Sequence, residues 1–139
     1  LNTEKQKQLA ALFEKAPIKK MFNMALSFDE NDQARFDLPY NPELTNATGG
    51  LHGGVIATLI DNAGWFTAAQ YYESWIATVE FNVHLIRYVK DQPIYSTGKL
   101  IHAGKRLAMC EMQVRSSQDD QLLATGSGTF STTSVKLEV

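Results

Sequence analysis

The stretch Asn46-Ala-Thr-Gly-Gly-Leu-His52-Gly53-Gly54-Val-Ile-Ala-Thr58-Leu-Ile-Asp61-Asn62 decides the fold, because it joins an irregular glycine-rich loop to the one long helical pattern in the chain. Val55, Ile56, Leu59, Ile60, Ala63 and Phe66 recur at spacings of three and four with no proline between them, which predicts a well-buried helix over residues 53–71. Asp61 stands inside that apolar pattern. Burying even a neutral polar group without a partner costs roughly 2–7 kcal/mol, and a dry, unpaired carboxylate costs more. Two readings follow: either Asp61 lies on a less buried stripe with Thr58 and Trp65, or it has a use that offsets the cost.

Outward from this helix the pattern changes period. Upstream, residues 3–15 are rich in helix formers, with Leu9, Leu12 and Phe13 at helical spacing and Thr3 as an N-cap. Pro17 then interrupts, so an N-terminal helix within residues 1–16 is expected. Two short strands, Met24–Asp29 and Gln33–Leu38, flank the turn Glu30-Asn31-Asp32 and form a hairpin. Downstream of the break at Glu73-Ser74 come four strand-like runs, 76–88, 93–102, 106–116 and 121–131. Val79, Phe81, Val83 and Leu85 alternate along one of them, and Leu107, Met109 and Glu111 oppose Ala108, Cys110 and Met112 along another. The connectors are short, so an antiparallel meander is expected, with Phe81 packing from sheet to helix. One hairpin, one buried helix and four more strands give an α+β class, a curved antiparallel sheet around a central helix. Residues 1–139 read as a single domain whose last residues, 133–139, fray.

The bulk numbers remove several functions. Thirteen Lys and Arg against fifteen Asp and Glu give a formal charge of −2, and the basic residues are scattered, so no nucleic-acid partner is expected. No apolar run reaches the ~18–20 residues that span a bilayer, and no secretory signal opens the chain, so no membrane partner is expected. The single cysteine, Cys110, lies in an alternating strand and reads as a reduced core thiol, which suits the cytoplasm. His52, His84 and His102 lack ligand spacing, so no metal is assigned.

The segment from Asn46 to Asn62 resembles the signature of hotdog-fold acyl-CoA thioesterases, in the PaaI-like group of the phenylacetate pathway, and the similarity extends over residues 20–133. The resemblance implies hydrolysis of an acyl-CoA or aryl-CoA thioester to a free acid and CoA without a cofactor. It also implies a homodimer paired through the strand at 76–88, and often a dimer of dimers. Asp61 would be general base or nucleophile, and the Gly53 N–H at the helix start would polarise the thioester carbonyl. Asn46 would orient substrate or water. Thr78 matches a position that hydrogen-bonds the attacking water, although simple alternation turns it away from Val79, Phe81 and Val83, so it reaches the site only through a bulge or a partner helix.

His52, Gly54 and Trp65 are expected to line the substrate site, and Arg87, Lys105 and Arg106 to stand near the CoA phosphates, with a solvated surface as the plainer reading of these charges. Gly53 and Asp61 are eight residues apart, ~12 Å along a helix, so the resemblance completes each site from two subunits. A catalytically silent acyl-CoA-binding sensor is the alternative. A hotdog hydratase or dehydratase is less favoured, because the histidine-centred motif of those enzymes is missing around Asp61.

Overall fold

The computed structural model describes residues 3–138. Three helices, α1 (Thr3–Glu14), α2 (Pro17–Phe22) and α3 (Gly53–Ala69), accompany six strands: β1 (Ala25–Phe28), β2 (Ala34–Leu38), β3 (Ser74–Leu85), β4 (Ile94–Ala103), β5 (Leu107–Ser116) and β6 (Leu122–Lys136). The strands form one antiparallel sheet in the order β1-β2-β4-β5-β6-β3, curved around α3 as the α+β reading requires. No helix among the described residues is long and apolar enough to cross a membrane.

The apolar stripe of α3 buries Val55, Ile56, Leu59, Ile60, Ala63 and Phe66 against the inner face of the sheet, where Ala108, Cys110, Met112, Val114 and Phe130 are also buried. Close approach is set by small residues. A Cβ on Gly98 of β4 would stand 2.3 Å from the Ala63 carbonyl oxygen, so only glycine lets strand and helix meet there. Thr67 locks that contact: its hydroxyl donates to the Ala63 carbonyl (2.7 Å) and accepts from the Ala34 N–H (3.0 Å), joining α3 to β2.

Several details differ from the sequence reading. The meander holds for β4-β5-β6 only, because β3 pairs with β6 and not with β4. The segment after β3 does not turn back as a hairpin. Ile86 N–H donates to the Leu123 carbonyl, Leu51 N–H donates to the Val89 carbonyl, and Val89 is buried, so this segment is pinned across the end of the fold. Strand β3 is therefore an edge. Phe81, read as packing from sheet to helix, keeps the inner side but is 36% exposed at this edge, with Val79 at 58% and Leu85 at 57%.

The tail expected to fray after Thr132 instead continues β6 to Lys136. Thr133 Oγ1 donates to the Trp75 carbonyl, and Leu137 is buried. Leu137, two places before the last residue, supplies the burial that offsets the ordering of the tail. The N-terminal segment is two helices joined at Pro17, and residues 1, 2 and 139 lie outside the described residues.

Candidate active site

The hydroxyl of Thr78 donates a 2.8 Å hydrogen bond to Asp61 Oδ1. Alternation alone would turn Thr78 outward. The β3–β6 register slips between Thr78 and Glu80, and this bulge lets Ile76 and Thr78 face α3 while Phe81 and Val83 also keep the inner side. Asp61 sits half-buried immediately after the buried Leu59 and Ile60, with Oδ2 outside the Thr78 contact. Burial raises its pKa above the ordinary carboxylate value, and the hydrogen bond from Thr78 offsets part of that rise. A carboxylate held this way is poised to take a proton nearer neutrality than a solvated one.

An apolar cavity of about 580 Å³ opens directly on this pair. Its walls come from Phe13 and Ile18 of the N-terminal helices, from Trp65 and Phe66 of α3, and from Trp75 and Ile76 of β3. The aromatic rings pack on one another: Trp65 lies 4.8 Å from both Phe66 and Trp75, and Phe66 lies 5.5 Å from Phe13, centroid to centroid. Trp65 Nε1 donates to the Ile76 carbonyl at 2.8 Å, which fixes its ring as a wall. The sequence reading gave the N-terminal helix but assigned neither it nor Trp75 to the walls of the site. The helical spacing of Leu12 and Phe13 announced a buried face but not what it covers.

The other end of α3 is a separate place. His52 caps it: Nδ1 accepts the Gly54 N–H at 2.8 Å, so the imidazole is committed to helix capping through the unprotonated nitrogen. That bond engages Gly54 and leaves the Gly53 N–H without an acceptor among the described residues, directed out of the positive end of the helix. Asn46 organises the loop before it. Its Oδ1 accepts from Thr48 N–H (2.9 Å), Thr48 Oγ1 (2.8 Å) and Gly50 N–H (3.3 Å), while Nδ2 has no acceptor among the described residues. Tyr88 packs where a Gly50 side chain would stand and shares a hydrogen bond with Thr48 Oγ1.

Thus one chain brings Asp61 and Thr78 together, and Asn46, His52 and Gly53 together, but keeps the two groups apart by the ~12 Å separating Gly53 from Asp61 along the helix axis. The basic residues divide the same way. Arg87 follows β3 at the Gly53 end, where its N–H meets the Leu123 carbonyl. Lys105 and Arg106 occupy the β4–β5 turn beside Leu107, which pairs with Ser131 and through it aligns with Ala77. Those ends of β3 are roughly 25 Å apart. A single basic cluster is therefore not formed within one chain, and all three side chains are exposed.

Among the described residues no three His, Cys, Asp or Glu side chains gather to hold a metal ion. Cys110 offers no nucleophile: it is buried, its thiol donates weakly to the Gly64 carbonyl, and burial pushes its pKa up to about 12.

A family model described as the thioesterase superfamily matches residues 48–123, which contain Gly53, Asp61 and Thr78. A Saccharolobus solfataricus protein named "Putative esterase" is 26% identical over 126 residues, 89% of each chain. Among solved structures, the Escherichia coli PaaI protein from the phenylacetic acid degradation operon superposes with a TM-score of 0.85 at 17% identity over 96% of both chains. A thioesterase family protein of Silicibacter pomeroyi gives 0.85 at 20% identity, covering 91% of this chain and 96% of the other. At such identities these two structures speak for the fold.

Proposed function

Because the chain belongs to the thioesterase superfamily and is a hydrolase, we propose that it cleaves an acyl-CoA or aryl-CoA thioester to a free acid and CoA, with Asp61 as general base or nucleophile. The observation that carries this reading is the Thr78–Asp61 pair at the mouth of an aromatic-walled cavity. The cavity suits an acyl group, because its walls are apolar where the acyl chain would lie and the polar pair stands where the thioester carbonyl would enter.

In that pose Asp61 takes the proton of a water that attacks the carbonyl carbon, or attacks the carbon itself to form an anhydride that water then opens. Either path passes through an oxyanion, and the thiolate of CoA leaves and is protonated. Thr78 holds Oδ1 and thereby aims Oδ2. The Gly53 N–H, without an acceptor among the described residues and at the positive end of α3, is the donor fitted to the oxyanion.

The distance between Gly53 and Asp61 is resolved by a homodimer. Strand β3 is a twelve-residue edge that exposes Val79, Phe81 and Leu85, a combination that calls for covering by another chain. A two-fold axis through β3 pairs it antiparallel with its copy, so the Leu85 end, beside Gly53, lies against the copy's Thr78 end. The same operation carries Arg87 of one chain toward Lys105 and Arg106 of the second, the arrangement a CoA phosphate site needs. Asn46 and His52 then shape the glycine half of the site and Trp65 walls the carboxylate half.

The test is CoA release from a panel of acyl-CoAs by the parent and by Asp61→Asn. The amide keeps the shape but can neither accept the proton nor attack, so kcat should fall at least ~100-fold in a folded variant. Near-parental turnover by Asp61→Asn would remove Asp61 from the mechanism.

A further inference from the structure

Asn62, the chain neighbour of Asp61, is the second polar side chain that α3 presents to the aromatic cavity. Its position there is unusual in one respect. Nδ2 is buried and has no acceptor among the described residues, and Oδ1 receives no hydrogen bond from them. Buried amides are nearly always paired, and leaving one unpaired is destabilising. Asn62 sits among Trp65, Phe66 and Ile76, where an apolar residue would pack without that cost. A half-turn about its last side-chain bond exchanges Nδ2 and Oδ1 without breaking a hydrogen bond to any described residue, so either atom can be the one turned to the cavity.

We propose that Asn62 is a specificity-determining residue that hydrogen-bonds an oxygen on the acyl group close to the thioester, so that the favoured substrates are 3-hydroxyacyl or 3-ketoacyl thioesters over their unsubstituted counterparts. This rests on the reading of Asp61 as the residue that meets the thioester carbonyl. Adjacency then sets the position of the oxygen. Successive helix positions diverge by about 100°, so Asp61 and Asn62 enter the same cavity a few ångströms apart; with the carbonyl carbon at Asp61, Asn62 meets the acyl chain within its first few bonds, while the remainder of the chain runs on between Trp65, Trp75, Phe13 and Ile18. An amide serves both oxygen types, since it donates to a ketone and both donates to and accepts from a hydroxyl. A site built around such a group disfavours the ligand that lacks the oxygen, because binding it seals an unpaired amide against an apolar surface.

The experiment compares octanoyl-CoA with 3-hydroxyoctanoyl-CoA on the full chain, reading kcat/KM by CoA release for the parent, Asp61→Asn and Asn62→Leu. The expected result is a parental preference of about tenfold for the hydroxylated substrate and a ratio near one in Asn62→Leu, which matches asparagine in size but offers no hydrogen bond. Equal parental rates on the two substrates overturn the proposal, as does a preference that survives in Asn62→Leu. Should Asn62→Leu fail to fold, Asn62→Ala is read by the same ratio. The underlying function fails differently: the parent then releases CoA from neither substrate, or Asp61→Asn releases it as fast as the parent. A general loss of packing at position 62 lowers both rates together and leaves the ratio at its parental value, which also counts against the proposal.

Discussion

Thr78 Oγ1 and Asp61 Oδ1 lie 2.8 Å apart, and they meet because β3 slips register by one residue immediately after Thr78. The bond orients the carboxylate and holds its pKa below the level that burial alone would give.

Thr78→Val removes the donor at nearly constant volume. Asp61 then loses the one interaction that lowers its pKa, so the acid limb of kcat/KM should move to higher pH, and kcat on the alkaline plateau should drop about tenfold as a charge-assisted hydrogen bond is lost. A pH–rate profile checks both. An unmoved acid limb would mean that Thr78 does not act through Asp61.

Asp61 also sets a stability signature whose sign is fixed. Its folded pKa is raised, so between the ordinary carboxylate pKa and that raised value the folded state binds more protons than the unfolded state, and stability falls as pH rises. The penalty is complete above the raised pKa and absent below the ordinary one. Asp61→Asn should therefore be more stable than the parent at pH 7 to 8 and should lose that advantage in acid near pH 3, read as the midpoint of urea unfolding at each pH. A variant less stable than the parent at neutral pH would argue that the carboxylate is well solvated.

Cys110 gives a control on the chemistry. Buried and with its pKa pushed up to about 12, it stays a thiol at neutral pH, so an alkylating reagent should leave both the thiol and the activity untouched in the folded enzyme and should label one thiol per chain after denaturation. Mass spectrometry before and after urea settles it. Rapid native labelling with loss of turnover would place a reactive cysteine in the mechanism.

The legibility of these features follows their physical range. Helix α3 and the alternation of β5 were readable because local periodicity and burial agree over many residues, and Asp61 stood out because it breaks such a pattern. The bulge after Thr78 was readable only as a condition: the sequence says that Thr78 needs a slip to face α3, but the slip comes from the β3–β6 pairing, some fifty residues away in the chain. Trp75 carried no signal, since a tryptophan at a strand start has no period, and Phe13 announced burial without a partner. The pairing of β3 with β6 escaped for the same reason, because short connectors favour a meander unless distant hydrogen bonds, here those of Leu51 and Ile86, pin the connection elsewhere. Leu137 shows the limit at the chain end, where one buried side chain orders a tail that composition leaves loose.

The separation of Gly53 from Asp61 makes a sharper prediction about assembly. If a site takes its N–H from one subunit and its carboxylate from the other, an Asp61→Asn chain keeps a sound glycine half and a chain altered at Gly53 keeps a sound carboxylate half. Gly53→Val is suited to the second role, because its Cβ would stand 3.1 Å from the flexible end of Leu85, a contact that can give way, while its branches block approach to the N–H. Each variant alone should be inactive. Mixed by co-refolding, the pair should form heterodimers in which one site of two is whole, so that activity recovers to at most about half of the parental value per dimer. Tagging the two chains differently and isolating the mixed species makes the reading direct. Verified heterodimers without turnover would mean that the carboxylate works with donors of its own chain, and the edge strand β3 would then need another explanation for its exposed Val79, Phe81 and Leu85.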